Sequence, residues 1–244
     1  MVTVNVKKVT LPEFEPFTLG ADPEFEVVFR ETQKVIPASN IDGLYDHETG
    51  QVGLDGGQNV GELRPRFALG WLELFNNVKT LIKNQLVTRL GKKYYPTAGS
   101  GVRFPTGGHI HFGERNPSHV LLENFDKWIT LPLNSISDTK IRRSSYYGRL
   151  GQYRVVSSSR RRFEYRSAPS WIAHPDITKG VLCASYVLSK YPNKEIEGFY
   201  DLLAICSPEE LEQIVIYWDL ISKLKSMNVK MESFNIFTTW QIDK

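Results

Sequence analysis

Two periodicities divide this chain. Residues 24–30 (Glu-Phe-Glu-Val-Val-Phe-Arg) begin in polar/apolar alternation and are rich in β-favouring side chains, which predicts a strand. Residues 50–57 predict a hairpin-like segment that turns at Gly56-Gly57. Residues 60–66 predict another short strand, which Pro65 confines to an edge or an end. From Leu69 to Leu90 the period changes: Leu72, Phe75, Val78, Leu81, Ile82 and Leu86 recur at helical spacing until Gly91 stops them. Alternation returns in His109-Ile-His-Phe-Gly113 and again from Arg162 to Arg166. Between these two runs, Ser118 after Pro117 predicts the cap of a helix reaching about Thr130. The pattern beyond Ile177 is mainly helical, with the start Ser207-Pro208-Glu209-Glu210 placing Ser at the N-cap, Pro at N1 and Glu at N3.

The expected fold is therefore α+β: a mainly antiparallel sheet with helices between and after its strands, not a βαβ repeat. No internal repeat or low-complexity linker interrupts the chain, so residues 1–244 read as one domain. A length of 244 residues suffices for a sizeable core. No apolar run reaches the ~18–20 residues of a membrane span, and the N-terminus lacks the order of a secretory signal. The cytoplasm is the expected compartment. Cys183 and Cys206 form no C-x-x-C pair and read as buried thiols. The net charge is only +3, yet residues 140–166 hold nine Lys/Arg and one acid, Glu164. A solvated basic face explains such a stretch unless its neighbours offer it phosphate or carboxylate partners.

The neighbours carry chemistry. In Gly20-Ala-Asp-Pro-Glu-Phe-Glu26, a strand would project Asp22, Glu24 and also Glu26 from one face. Clustered carboxylates repel unless a cation lies between them, and oxygen ligands suit Mg²⁺ or Mn²⁺. Asp55 abuts two glycines, while Glu62, Arg64 and Arg66 alternate onto one face; a carboxylate beside guanidiniums suits a metal with an anionic substrate. His109 and His111 share a strand face in a chain of five histidines, with no third zinc ligand at a recognisable spacing, although His119 and His174 are available. Glu164 and Arg166 share a face downstream of a glycine-punctuated basic loop, Tyr146-Tyr-Gly-Arg149-Leu-Gly-Gln-Tyr-Arg154, suited to holding polyphosphate. Neither the phosphate-loop pattern nor the dinucleotide fingerprint is present, and no RNA-binding signature accompanies the basic loop. Each cluster alone has a bland explanation as solvated acids or surface ion pairs. Together on one sheet face they would ruin a core, and they make sense as the floor of a site for metal and nucleotide.

The succession G-A-D-P-E-F, D-G-G with G-E-L-R-P, G-G-H-I-H-F-G and E-Y-R-x-A-P-S-W resembles the phage-type carboxylate–amine ligases (amidoligases, type 2) of the glutamine synthetase / glutamate–cysteine ligase superfamily. The resemblance spans residues 18–175; the helices of 176–226 add nothing diagnostic. It implies an antiparallel sheet with a concave active face and helices behind it. It also implies ATP and Mg²⁺ (Mn²⁺ as the alternative) as cofactors, and amide formation through an acyl phosphate. By motif, Asp22, Glu24, Glu62 and Glu164 would be metal ligands. His109, His111, Arg149, Arg154 and Arg166 would contact nucleotide or substrate, and Asp55, Arg64 and Arg166 would serve the reaction. Aspartate at position 22, followed by Pro23, departs from the family's first acid. The expected partners are a small-molecule or peptide carboxylate and an amine, with no membrane; nucleic acid is disfavoured and stays open. Two other classes remain open: a metal-dependent hydrolase using His109 and His111, and a non-catalytic phage structural or phosphate-binding protein.

Overall fold

A computed structural model describes residues 13–44, 50–157 and 161–242. The N-terminal segment and Arg160, one of the nine basic residues of 140–166, lie outside the described residues. Strand β1 (Thr18–Phe29) is the spine of an antiparallel eight-stranded sheet. It pairs directly with β2 (Lys34–Ile36), β4 (Gly61–Leu63), β5 (Tyr94–Thr97) and β6 (Gly108–Gly113). Strand β3 (Val52–Leu54) closes a hairpin onto β4. At the other side, β8 (Arg162–Tyr165) pairs with β6 and with the outer strand β7 (Tyr153–Ser157), giving the order β3-β4-β1-β6-β8-β7. The spine starts six residues before the expected strand because Leu19 and Ala21 send apolar side chains to the core between the polar positions.

The two faces of the sheet differ sharply. Leu19, Phe25 and Val27 on β1, Ile110 and Phe112 on β6, and Phe163 and Tyr165 on β8 are fully buried. Phe112 stacks on Phe163 and on Phe125 with ring centroids 4.9 Å apart in both pairs, a geometry that adds to the burial itself. Gly61 is what lets β4 close on the spine, since a Cβ there would lie 2.2 Å from the Phe25 ring. Gly61→Ala is expected to lower stability by about 1–3 kcal/mol through overpacking, read as a fall in the urea midpoint.

Helices supply the second layer. Helix α1 (Trp71–Thr80) runs through a π-helical segment (Leu81–Leu86) into α2 (Val87–Leu90), and Gly91 ends it at φ 56°. Ser118 caps α3 (His119–Phe125) by accepting the Leu121 N–H at 3.1 Å. The helix then continues beyond the expected Thr130 through a π segment (Asp126–Thr130) into α4 (Leu131–Ser135). Pro132 would clash with the preceding turn of a regular α-helix, and the wider π segment precedes it here. Short α5 (Lys140–Ser144) leads toward β7, and α6 (Pro175–Lys190) packs with α1 and with α8 (Pro208–Ser226). Between them lies α7 (Phe199–Leu203), and α9 (Ile236–Thr239) follows last. The capping box of α8 forms as expected from Ser207 and Glu210. Cys183 and Cys206 are both buried and unpaired. No described helix is long and apolar enough to cross a membrane.

Candidate active site

Strand register assembles the floor of the site. Even-numbered residues of β1 face away from the core, and antiparallel pairing sets a matching residue beside each. Gly20 lies opposite His111, His111 opposite Glu164, and Glu164 opposite Arg154. In the next row Asp22 lies opposite His109, and Arg166 follows β8 directly. A third row pairs Glu24 with Glu62. Eight of the residues read from sequence therefore meet on one face: Asp22, Glu24, Glu62, His109, His111, Arg154, Glu164 and Arg166. Asp55, on the β3–β4 turn, sends its field onto Glu24 and Glu62.

The contacts are close. Asp22 Oδ2 accepts from His111 Nε2 at 2.9 Å, and its Oδ1 lies 3.5 Å from His109 Nδ1. Glu164, fully buried, accepts from Arg154 Nε at 2.7 Å and Nη2 at 2.5 Å. Its other oxygen lies 3.3 Å from His109 Nδ1 and 3.4 Å from Arg166 Nε. Glu24 accepts the Gly107 N–H at 2.7 Å and the Tyr147 hydroxyl at 2.8 Å. That hydroxyl is also 2.7 Å from His109 Nε2.

Burial and crowding set the charge states. Burial, reinforced by the field of Asp55, pushes Glu24 up to about 8. Burial and the Asp22 charge push Glu62 up too, against the pull of Arg64. Burial would likewise raise Asp22, but the His111 N–H and the field of both imidazoles outweigh it and hold this acid below its usual range. His109 is lowered to about 3 by burial, with Arg166 and Arg142 adding to the effect, so it is neutral at pH 7.

Several buried polar atoms here have no hydrogen-bond partner: Asp22 Oδ1, Glu164 Oε1, His111 Nδ1, Arg142 Nη1 and Arg166 Nε. Orphaned groups of this kind are costly unless something else occupies the site. Ligand atoms of Asp22, His111 and Glu164 fall within 4.8 Å of one another. Two carboxylates and an imidazole at that spacing fit a divalent cation.

Other candidates lie elsewhere or are engaged elsewhere. Arg149 is exposed and stacks over Tyr146 at 4.8 Å, away from the floor. Arg64 pairs with Glu62 at 2.6 Å, and it also ties down the Gly50 and Leu54 carbonyls at 3.0 and 2.5 Å, fastening the hairpin. Glu26 faces a loop: its carboxylate accepts the backbone N–H groups of Val102, Arg103 and Phe104 at 2.6–2.7 Å. His119 pairs with Glu123 on the surface, and His174 caps α6.

Three site residues have no sequence signal. Arg142 on α5 is buried, donates to the Ser167 carbonyl at 3.0 Å and sits over the Tyr147 ring. A Cβ at Gly148 would lie 1.6 Å from its Nη2, so the φ of +68° there belongs to glycine on two counts. Tyr147 is one of two adjacent tyrosines, indistinguishable in sequence. Phe67 is 72% exposed. The Leu19–Ala68 bridge sets it beside Gly20, where a Cβ would be 3.4 Å from His111 Cβ and 3.7 Å from Phe67 Cβ. Phe67 thus ends the row that runs through Gly20, His111 and Glu164 to Arg154. A cavity of about 680 Å³ lined by Val102, Lys140, Ile141 and Lys230 contains none of these acids or imidazoles.

Fold and floor together define a protein that gathers carboxylates, imidazoles and guanidiniums on one face of an antiparallel sheet. Residues 19–202 match the phage phiEco32-like COOH.NH2 ligase, type 2, and the chain belongs to this family of carboxylate–amine ligases. No curated protein matches it. Among solved structures, it is similar to a bifunctional glutathione synthetase from Pasteurella multocida, with TM-score 0.49 and 10% identity over 93% of this chain and 51% of that one. It is also similar to a structure of the complex between prokaryotic ubiquitin-like protein Pup and its ligase PafA, with TM-score 0.44 and 12% identity over 93% of this chain and 63% of that one. The chain thus spans about half of the first protein and under two thirds of the second.

Proposed function

We propose that the chain is an ATP- and Mg²⁺-dependent ligase that joins a carboxylate to an amine through an acyl phosphate. The observation that carries this reading is the pair of orphaned buried oxygens, Asp22 Oδ1 and Glu164 Oε1, facing one imidazole on a sheet lined with guanidiniums. A divalent cation held by Asp22 and Glu164, with Glu24 and Glu62 as further ligands, would neutralise phosphate charge during transfer. Arg166 and Arg154 flank Glu164 and would hold phosphoryl oxygens. The substrate carboxylate attacks the γ-phosphorus, ADP leaves, and the resulting acyl phosphate gives the amine a carbonyl with a good leaving group. As the amine attacks and phosphate departs, Asp55 at the Glu24–Glu62 row takes the ammonium proton.

Phe67 offers the nucleotide base an aromatic face at the far end of the Glu164 row. Phe67→Ala is expected to raise the ATP KM about 10–100-fold, the equivalent of ~1–3 kcal/mol of base stacking, with little change in metal affinity. The test of the whole reading is a thermal shift with Mg²⁺-ATP and phosphate release across a panel of acids and amines. Binding of ATP lost in Glu24→Gln and Glu62→Gln supports it; no nucleotide binding with any divalent ion sinks it. Tightly bound zinc with metal-dependent, ATP-independent hydrolysis would support the hydrolase instead.

A further inference from the structure

His109 meets acids at one ring nitrogen and the Tyr147 hydroxyl at the other. An imidazole that offers one ring nitrogen to a cation carries its single proton on the other. The Nδ1 of His109 lies 3.3 Å from Glu164 Oε1 and 3.5 Å from Asp22 Oδ1, yet neither oxygen receives a hydrogen bond. No N–H on that nitrogen is aimed at either. Its Nε2 lies 2.7 Å from the Tyr147 hydroxyl, whose single proton is donated to Glu24 Oε1 at 2.8 Å. Once Glu24 is ionised, as a cation ligand must be, the phenol oxygen has given its proton away and is an acceptor, and His109 Nε2–H is the donor that meets it. His111 is pinned the same way: Asp22 can only accept, so Nε2 carries the proton at 2.9 Å and the buried Nδ1 has no partner.

We propose that Tyr147 is a positioning residue that locks His109 as its Nε2–H tautomer, directing the Nδ1 lone pair between Asp22 and Glu164 as a nitrogen ligand that biases the site toward Mn²⁺ over Mg²⁺. This rests on the cation-binding part of the proposed function and needs neither ATP nor a ligase substrate. A partner on the far ring nitrogen fixes the tautomer and orientation of a metal-binding histidine. Imidazole nitrogen favours later divalent ions, whereas Mg²⁺ favours an all-oxygen shell. Tyr147 is itself fixed: its ring lies 5.2 Å from the Arg142 guanidinium carbon, and a side chain at Gly107 would meet its hydroxyl at 2.9 Å.

The test is Tyr147→Phe, which keeps the ring and removes the hydroxyl. Nitrogen-15 spectra of histidine-labelled protein read the tautomer directly, and titrations with Mn²⁺ and Mg²⁺ read selectivity. With Mg²⁺ bound, the native protein should show Nε2–H at His109; the variant should lose that preference. Its Mn²⁺ affinity should fall about tenfold, within the range for loss of such a partner, while Mg²⁺ affinity changes less. A purely structural tyrosine would weaken both ions alike and leave the tautomer unchanged, overturning the proposal. Should Tyr147→Phe fold poorly, two histidine variants test the Nδ1 ligation on which the proposal depends. His109→Asn keeps a ligand atom near the Nδ1 position and should retain Mn²⁺ better than His109→Gln, whose polar atoms reach toward Nε2. The reverse order overturns the proposal. Failure of ATP binding with the selectivity intact would sink the ligase reading alone.

Discussion

Glu164→Gln is expected to abolish divalent-cation binding and to lower ATP-dependent phosphate release about 10²–10³-fold. The native carboxylate is fully buried, grips Arg154 through one oxygen and leaves the other unpartnered beside His109 Nδ1. A glutamine is the same size, but its oxygen is needed by Arg154, so its NH₂ must face His109 Nδ1 and Asp22 Oδ1. A donor would then sit where a cation belongs. Removing one partner of a buried ion pair is costly because the other charge is left uncompensated; here that falls on Arg166, whereas Arg154 is 59% exposed and water screens it. Calorimetric titration with Mn²⁺ and a phosphate-release assay check the prediction. Activity within about threefold of the native protein would remove Glu164 from the machinery.

The metal-free protein should lose stability as pH rises, which is the reverse of the usual behaviour of ionised, paired acids. Burial raises Glu24 from 4.5 to about 8, and Glu62 is raised as well. The folded state therefore binds these protons more tightly than the unfolded chain does. Their contribution is complete below the unfolded value and is lost as pH climbs through the folded one. Asp22 behaves oppositely: held low, it contributes above its unfolded value and loses that contribution only in strong acid. With EDTA present, Tm should fall from about pH 5 to about pH 8. The fall corresponds to a few kcal/mol, about 1.4 for each tenfold change in proton affinity. A divalent ion should restore Tm, increasingly so toward pH 8, and release protons as it binds. Glu24→Gln sharpens the test, because it should raise the metal-free Tm at pH 8 and erase the metal effect. A metal-free Tm that is flat or rises over this range would contradict the raised acids.

Much of the site was legible because strands expose their chemistry at spacing two. Asp22 and Glu24, His109 and His111, and Glu164 and Arg166 each announce a shared face, and register brings those faces together. The α8 capping box and the Gly91 stop were legible for the same local reason. Glu26 shows the limit of the rule. It shares the parity of Asp22 and Glu24, but the loop through Val102, Arg103 and Phe104 folds its amides over it. Spacing predicts direction and not what will be met there.

Arg149 and Arg142 make the same point from the basic segment. One stands exposed over Tyr146, whereas the other is buried behind Tyr147. Composition treats them alike.

The sequence by itself determined that acids, imidazoles and guanidiniums would line one face of an antiparallel sheet, since alternation and glycine-bounded strands are local properties. Only the tertiary structure decided which acids would be crowded and raised, which oxygens would stay unpartnered, and that Tyr147 would stand between Glu24 and His109. Those outcomes depend on the packing of residues more than a hundred positions apart in some cases, as with Glu24 and Tyr147. No local pattern encodes the distance between such residues, and burial and electrostatics both follow from that distance.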